Sequence, residues 1–104
     1  MNYETNENYS AHPELLKKTE EFFFFCQNNM TQDAKNTVWR FLNLARQAYP
    51  KSPHKQQWDI MLENLQTIMD DFHNDYSAKS ELKLAAVHRN AEEIVEEDRK
   101  PIEF

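Results

Sequence analysis

The chain has no glycine in 104 residues, where average usage would supply about seven. Glycine gives easy access to tight hairpin turns and phosphate-cradling loops, because a residue without Cβ enters left-handed backbone freely. Its absence counts at once against a sheet-rich fold, a phosphate loop and a dinucleotide-binding turn. A single cysteine, Cys26, leaves no partner for an internal disulfide, and beside phenylalanines a lone thiol behaves as a small hydrophobe. That suits a reducing compartment, so the expected location is cytoplasmic. No stretch approaches the ~18 apolar residues of a membrane span. The start, MNYETNENYSAH, has neither the basic opening nor the apolar run of a secretory signal.

Charge of one sign is also locally missing. The sum is −6, which favours solubility and works against non-specific binding to a phosphate backbone. Lys35, Arg40, Arg46, Lys51 and Lys55 follow one another with no acidic residue between them. Asp59, Glu63, Asp70, Asp71 and Asp75 then follow with no basic one. Either two neighbouring antiparallel helices complement each other, or an exposed bipolar surface docks a charged partner.

Apolar spacing reads as helix throughout. Residues 1–11 are polar and without period and read as a flexible N-terminal tail. Pro13 and Glu14 suit a helix start, and Leu15, Leu16, Thr19, Phe22, Phe23, Cys26 and Met30 share one stripe. Asn28 and Asn29 are candidates for a left-handed cap. Thr31 is a natural N-cap for a second helix, with Ala34, Val38, Phe41, Leu42, Ala45, Ala48 and Tyr49 on one face. Pro50-Lys51-Ser52-Pro53 is a short link that predicts antiparallel packing of the second and third helices, with Ser52 as N-cap and Pro53 in the first turn. Trp58, Met61, Leu62, Leu65, Ile68, Met69 and Phe72 mark a third, central helix. Leu84, Val87, His88, Ala91, Ile94 and Val95 form a face out of phase with it. The phase change predicts a break near residues 74–79, with one long kinked helix as the alternative. The expected fold is all-α: a small antiparallel helical bundle of about four helices (13–29, 32–49, 53–74, 79–99) in a single domain over 12–100, with a C-terminal tail at 101–104.

Chemistry-bearing constellations are sparse. A di-metal carboxylate site in a bundle needs paired Glu-x-x-His turns and two further glutamates, and Asp70-Asp71-Phe72-His73 is only one distant echo. His88, with Glu92 one turn on, reads as a core or boundary histidine. Nothing near Cys26 would favour its thiolate, since Phe22 to Phe25 desolvate it. The expectation is therefore no enzyme, no cofactor and no metal. Helix two gathers Lys35, Trp39, Arg40 and Arg46, followed by Lys51, His54 and Lys55 in the link. This is the material for the alternative reading, a nucleic-acid-associated regulator; the helix after it is acidic, opposite to what a groove-reading helix needs.

The stretch EEFFFFC remains. Four consecutive helical positions span about 300°, more than one core face takes. Phe22 and Phe23 join the stripe, Phe25 falls on its flank, and Phe24 lies opposite, as Trp39, Leu44 and Ile60 lie off their own helices' faces. Single exposed apolars, or a first helix covered on two sides, would account for this. A second apolar surface is the functional alternative. On that alternative the chain is a non-enzymatic protein-protein interaction module, such as a small inhibitor, immunity factor, adaptor or assembly subunit. It would bind another protein or itself, as a homodimer, through Phe24, Phe25, Trp39, Arg40 and Leu44, residues of the types that dominate binding hot spots.

Overall fold

Four amphipathic stripes become four helices in the computed structural model, which describes residues 13–74 and 78–100. Helix α1 is Pro13–Cys26, α2 is Gln32–Ala48, α3 is Lys55–Asn74 and α4 is Ala78–Arg99. Short 3-10 turns at Gln27–Asn29 and Tyr49–Lys51 continue α1 and α2. Both expected tails, 1–11 and 101–104, lie outside the described residues.

The expected faces are the buried ones. Val38, Phe41, Leu42 and Ala45 of α2 are sealed, as are Trp58, Leu62, Leu65, Met69 and Phe72 of α3. From α1 come Thr19, Phe23 and Cys26, and from α4 Leu84, Val87 and Ala91. Thr31 caps α2 as its spacing predicts: its backbone is extended and its Oγ1 accepts from the Ala34 N–H at 3.1 Å. Asparagine supplies no left-handed cap after α1. The helix instead tightens into the 3-10 turn and leaves through extended Met30, whose N–H donates to the Gln27 carbonyl. Helices α3 and α4 are separate, so the phase change marks a true break. Helix α3 begins two residues after Pro53; Ser52 still serves its start by accepting from the His54 N–H at 3.0 Å.

Neighbour choice is where the molecule departs from its sequence. Helix α3 packs against α1 and α4, and α4 against α2 and α3, while α1 and α2 touch more sparingly. Going round the bundle the order is α1, α3, α4, α2, which puts α2 and α3 on a diagonal rather than side by side. The link between them, residues 49–54, is long enough for this, because six residues reach up to about 20 Å. Consecutive helices still run antiparallel. The lateral pairs α1/α3 and α2/α4 run in the same direction: Thr19 meets Gln66 and Phe25 meets His73, while Thr31 meets Glu81 and Ser52 meets Asp98. The core lies between all four, with Phe41 and Trp58 meeting edge to face across the diagonal at 5.9 Å.

The diagonal decides the charge question. Among the described residues the ion pairs that join different elements are Arg46–Glu20 and His54–Asp98, and neither links basic α2 to acidic α3.

Candidate functional site

Helical geometry makes the surplus rings unavoidable. Burying Phe23 completely turns its two successors outward, leaving Phe24 56% and Phe25 61% exposed. Phe22 is half-buried and stacks on Phe25 with centroids 6.0 Å apart. From α2, Trp39, 40% exposed, meets Phe23 edge-on at 5.7 Å and Phe24 at 6.2 Å. From α3, the His73 ring lies 4.7 Å from that of Phe25. A band of rings therefore crosses the last two turns of α1, from Trp39 on one side to His73 on the other.

Polar groups fix both margins of this band. The Arg46 guanidinium sits 5.7 Å over the Trp39 ring, and its Nε donates to Glu20 Oε2 at 2.6 Å, tying α2 to α1. Asn43 accepts a further hydrogen bond from Arg46. On the other margin Asn29 Nδ2 donates to the His73 carbonyl at 2.9 Å and lies 3.2 Å from His73 Nδ1. Deeper on α1, Thr19 donates to the Leu15 carbonyl and accepts from Gln66. The rings are thus held by neighbours on both sides although one surface of each is open to solvent.

Beneath the band Cys26 is fully buried, and desolvation pushes its thiol up to about 11, with the Asp70 charge adding to the effect. The thiol is a packing group rather than a nucleophile. Asp70 lies on the α1 side of α3, one turn from Gln66 and from His73, which both meet α1. Glu63 and Asp70 belong to the stripe that carries Gln66 and His73, at helical intervals of three and four; Lys35 and Arg46 belong to the stripe that carries Trp39. The band has a basic margin on α2 and an acidic margin on α3.

Of the five residues singled out from sequence, Phe24, Phe25 and Trp39 come together here. Arg40 and Leu44 do not join them. They line a shallow groove of about 290 Å³ on the opposite flank of α2, with Asn43, Gln47, His88 and Glu92. The reason is angular, since Leu44 lies about 140° round the helix from Trp39. In that groove His88 Nδ1 is 3.8 Å from Glu92 Oε1. Sequence reasoning missed His73 as the ring that completes the band, because its contact with α1 depends on which helix becomes the neighbour. Leu82, 72% exposed, was also missed, although its place off the Leu84–Val87–Ala91 face was a readable signal.

The far end of the bundle is built differently. Ser52, itself buried, donates through Oγ to Asp98 Oδ2 at 2.6 Å, and His54 Nδ1 meets Asp98 Oδ1 at 2.7 Å. Lys55 Nζ donates to the carbonyls of Tyr49, Pro50 and Ser52, closing the end of α2. The Tyr49 hydroxyl donates to Asp59 at 2.7 Å; burial and that carboxylate raise its pKa well above the phenolic range. The serine hydroxyl is bonded to the aspartate and to the His54 backbone N–H and not to the imidazole, so the trio clamps α4 to the link and forms no nucleophile–base pair. Among the described residues no three His, Cys, Asp or Glu side chains converge where a metal ion could sit. Among the same residues no helix is long and apolar enough to cross a membrane.

No family model, no curated protein and no solved structure matches this chain.

Proposed function

We propose that the chain is a non-enzymatic protein-interaction module that binds through the aromatic band of α1. One observation carries the reading: Phe24, Phe25 and Trp39 are all substantially exposed about the end of α1, Phe24 held against Trp39 and Phe25 held between Phe22 and His73. Scattered single apolars are ordinary on a surface, whereas a joined, pre-positioned aromatic patch is what a binding anchor consists of. Holding the rings rigid before contact also lowers the ordering cost of association. The role is that of a subunit or adaptor.

The nucleic-acid alternative draws no comparable support. Lys55 is committed to backbone carbonyls, Arg46 to Glu20, and Arg40 faces the other flank of α2, so the basic residues do not gather into a phosphate-tracking surface.

The test compares the tagged wild-type chain with Phe24→Glu, both confirmed helical by circular dichroism, by light scattering and quantitative pull-down. The expected result is a complex, with itself or with another protein, that the substitution abolishes and that changes little between low and moderate salt. Complexes identical for both chains would overturn the reading. So would binding that collapses steeply with salt, the mark of a phosphate partner.

A further inference from the structure

We propose that the groove between α3 and α4 is a second docking surface and that its occupant is a basic amphipathic helix of another protein. The inference is independent of the aromatic band, which lies on the other side of α3.

The band leaves part of the exposed apolar surface without a role. Of the large apolar side chains exposed among the described residues, Phe24, Phe25 and Trp39 belong to it, while Ile60, 49% exposed, and Leu82 do not. Both flank the seam where α3 and α4 pack. Ile60 shares with Met61 and Ile94 the floor of a groove of about 400 Å³. A second groove of about 340 Å³, floored by Ile68, Ala86 and Val87, continues from it at Asn64. Leu82 stands one turn before Ala86 on the same stripe of α4. From Gln57 to Asp71 on α3, and from Lys83 to Glu97 on α4, the seam runs for roughly four turns, about 20 Å.

Shape selects a helix. The floor presents apolar side chains along a seam between two antiparallel helices, and the residues at i, i+3, i+4 and i+7 of a third helix enter a seam of that kind. Charge then selects its chemistry. Gln57, Asn64, Thr67 and Asn90 on the walls are neutral, whereas Glu93 and Glu97 stand at the Ile60 end. Among the described residues Glu93 enters no ion pair, and Glu97 has only an exposed one with Lys100, of a kind that exchanges at little cost. His54, at the same end, spends Nδ1 on Asp98, so its neutral ring has only the acceptor Nε2 left to offer. An end rich in acceptors calls for a cation rich in donors, an arginine or lysine whose stem lies along Ile60. At the opposite end Asp71 and Lys83 are of opposite sign, and no net charge is demanded there. The chain's own terminal segments do not qualify, because residues 1–12 and 101–104 contain glutamate but no lysine or arginine.

Fluorescence anisotropy with two labelled synthetic peptides tests this. Both are helix-forming, built of alanine and glutamine with a single stripe of leucines; one carries arginines near one end and the other carries glutamates in their place. The wild type should bind the arginine peptide roughly tenfold more tightly than the glutamate peptide. Ile60→Asp should weaken that binding by roughly tenfold or more. Glu93→Lys should reverse the preference, a gain for the glutamate peptide that a damaged fold would not give. Phe24→Glu should leave both affinities unchanged. Equal binding of the two peptides, or binding of neither, overturns the proposal. Binding lost in Phe24→Glu and kept in Ile60→Asp puts the peptide on the aromatic band, which also overturns the proposal and leaves the interaction reading standing. If light scattering shows a wild-type dimer that Ile60→Asp splits, the groove holds a second copy of the chain and the foreign helix is overturned.

Discussion

The two ends of this bundle satisfy their side chains in opposite ways. Where α4 finishes, Asp98 accepts from Ser52 and meets His54 while Lys55 gathers three carbonyls, so the polar groups find partners within the chain. Where α1 finishes, Phe24 leans on Trp39 and Phe25 on Phe22 and His73, and all three of Phe24, Phe25 and Trp39 keep one surface in water. Both regions are well anchored. Anchoring and burial are therefore separate properties, and it is the anchored but unburied region that the proposed interaction would use.

The sharpest way to break this comparison uses adjacent residues. Phe23→Ala should cost roughly 3–5 kcal/mol of unfolding free energy in urea, because a fully buried ring leaves a cavity. Asp98→Ala, at the closed end, should cost about 2 kcal/mol by the same measurement, since it leaves buried Ser52 and neighbouring His54 without their acceptor. Alkaline titration probes the layer beneath the open side. The unfolded thiol releases its proton near 9.0 but the folded Cys26 keeps it to about 11. Stability should hold below pH 9 and fall by about 2 kcal/mol as pH rises to 11. The raised Tyr49 pKa acts in the same direction above pH 10. Cys26→Ala should flatten the decline between pH 9 and 10, read from urea midpoints across the series.

Smaller effects belong to the margins. Arg46→Gln should lower stability by less than about 1 kcal/mol while changing Trp39 fluorescence, because it removes an exposed ion pair and the cation above the indole. Phe24→Glu should change monomer stability least of all the ring substitutions, by less than about 1 kcal/mol in dilute solution. A large loss there would show that the ring supports the fold and is not available for binding.

Much of the architecture was legible because helical periodicity is a property of one segment at a time. The faces of α2 and α3, the cap at Thr31 and the break after Asn74 all follow from local spacing. What was not legible was which helix lies beside which. A short link suggested that α2 and α3 pack side by side, but the faces match better with α1 against α3 and α2 against α4, and six linking residues permit the diagonal. Every contact between those lateral pairs, such as Asn29 with His73 or Thr31 with Glu81, was hidden for that reason. The same limit split the candidate site. Phe24 and Trp39 met as rings off their own helices' faces can meet, whereas the basic run from Lys35 to Lys55 dispersed once each residue found its own neighbour.

The diagonal link governs the order in which the chain acquires structure. Each of the first two helices has its main packing partner two elements further along, so among consecutive pairs only α3 and α4 form a well-packed hairpin by themselves. Folding must wait for closures that span much of the chain, which is slower than zipping up local pairs. During synthesis the EEFFFFC segment leaves the ribosome well before α3 exists to shelter it, and that interval is when this protein is most exposed to aggregation.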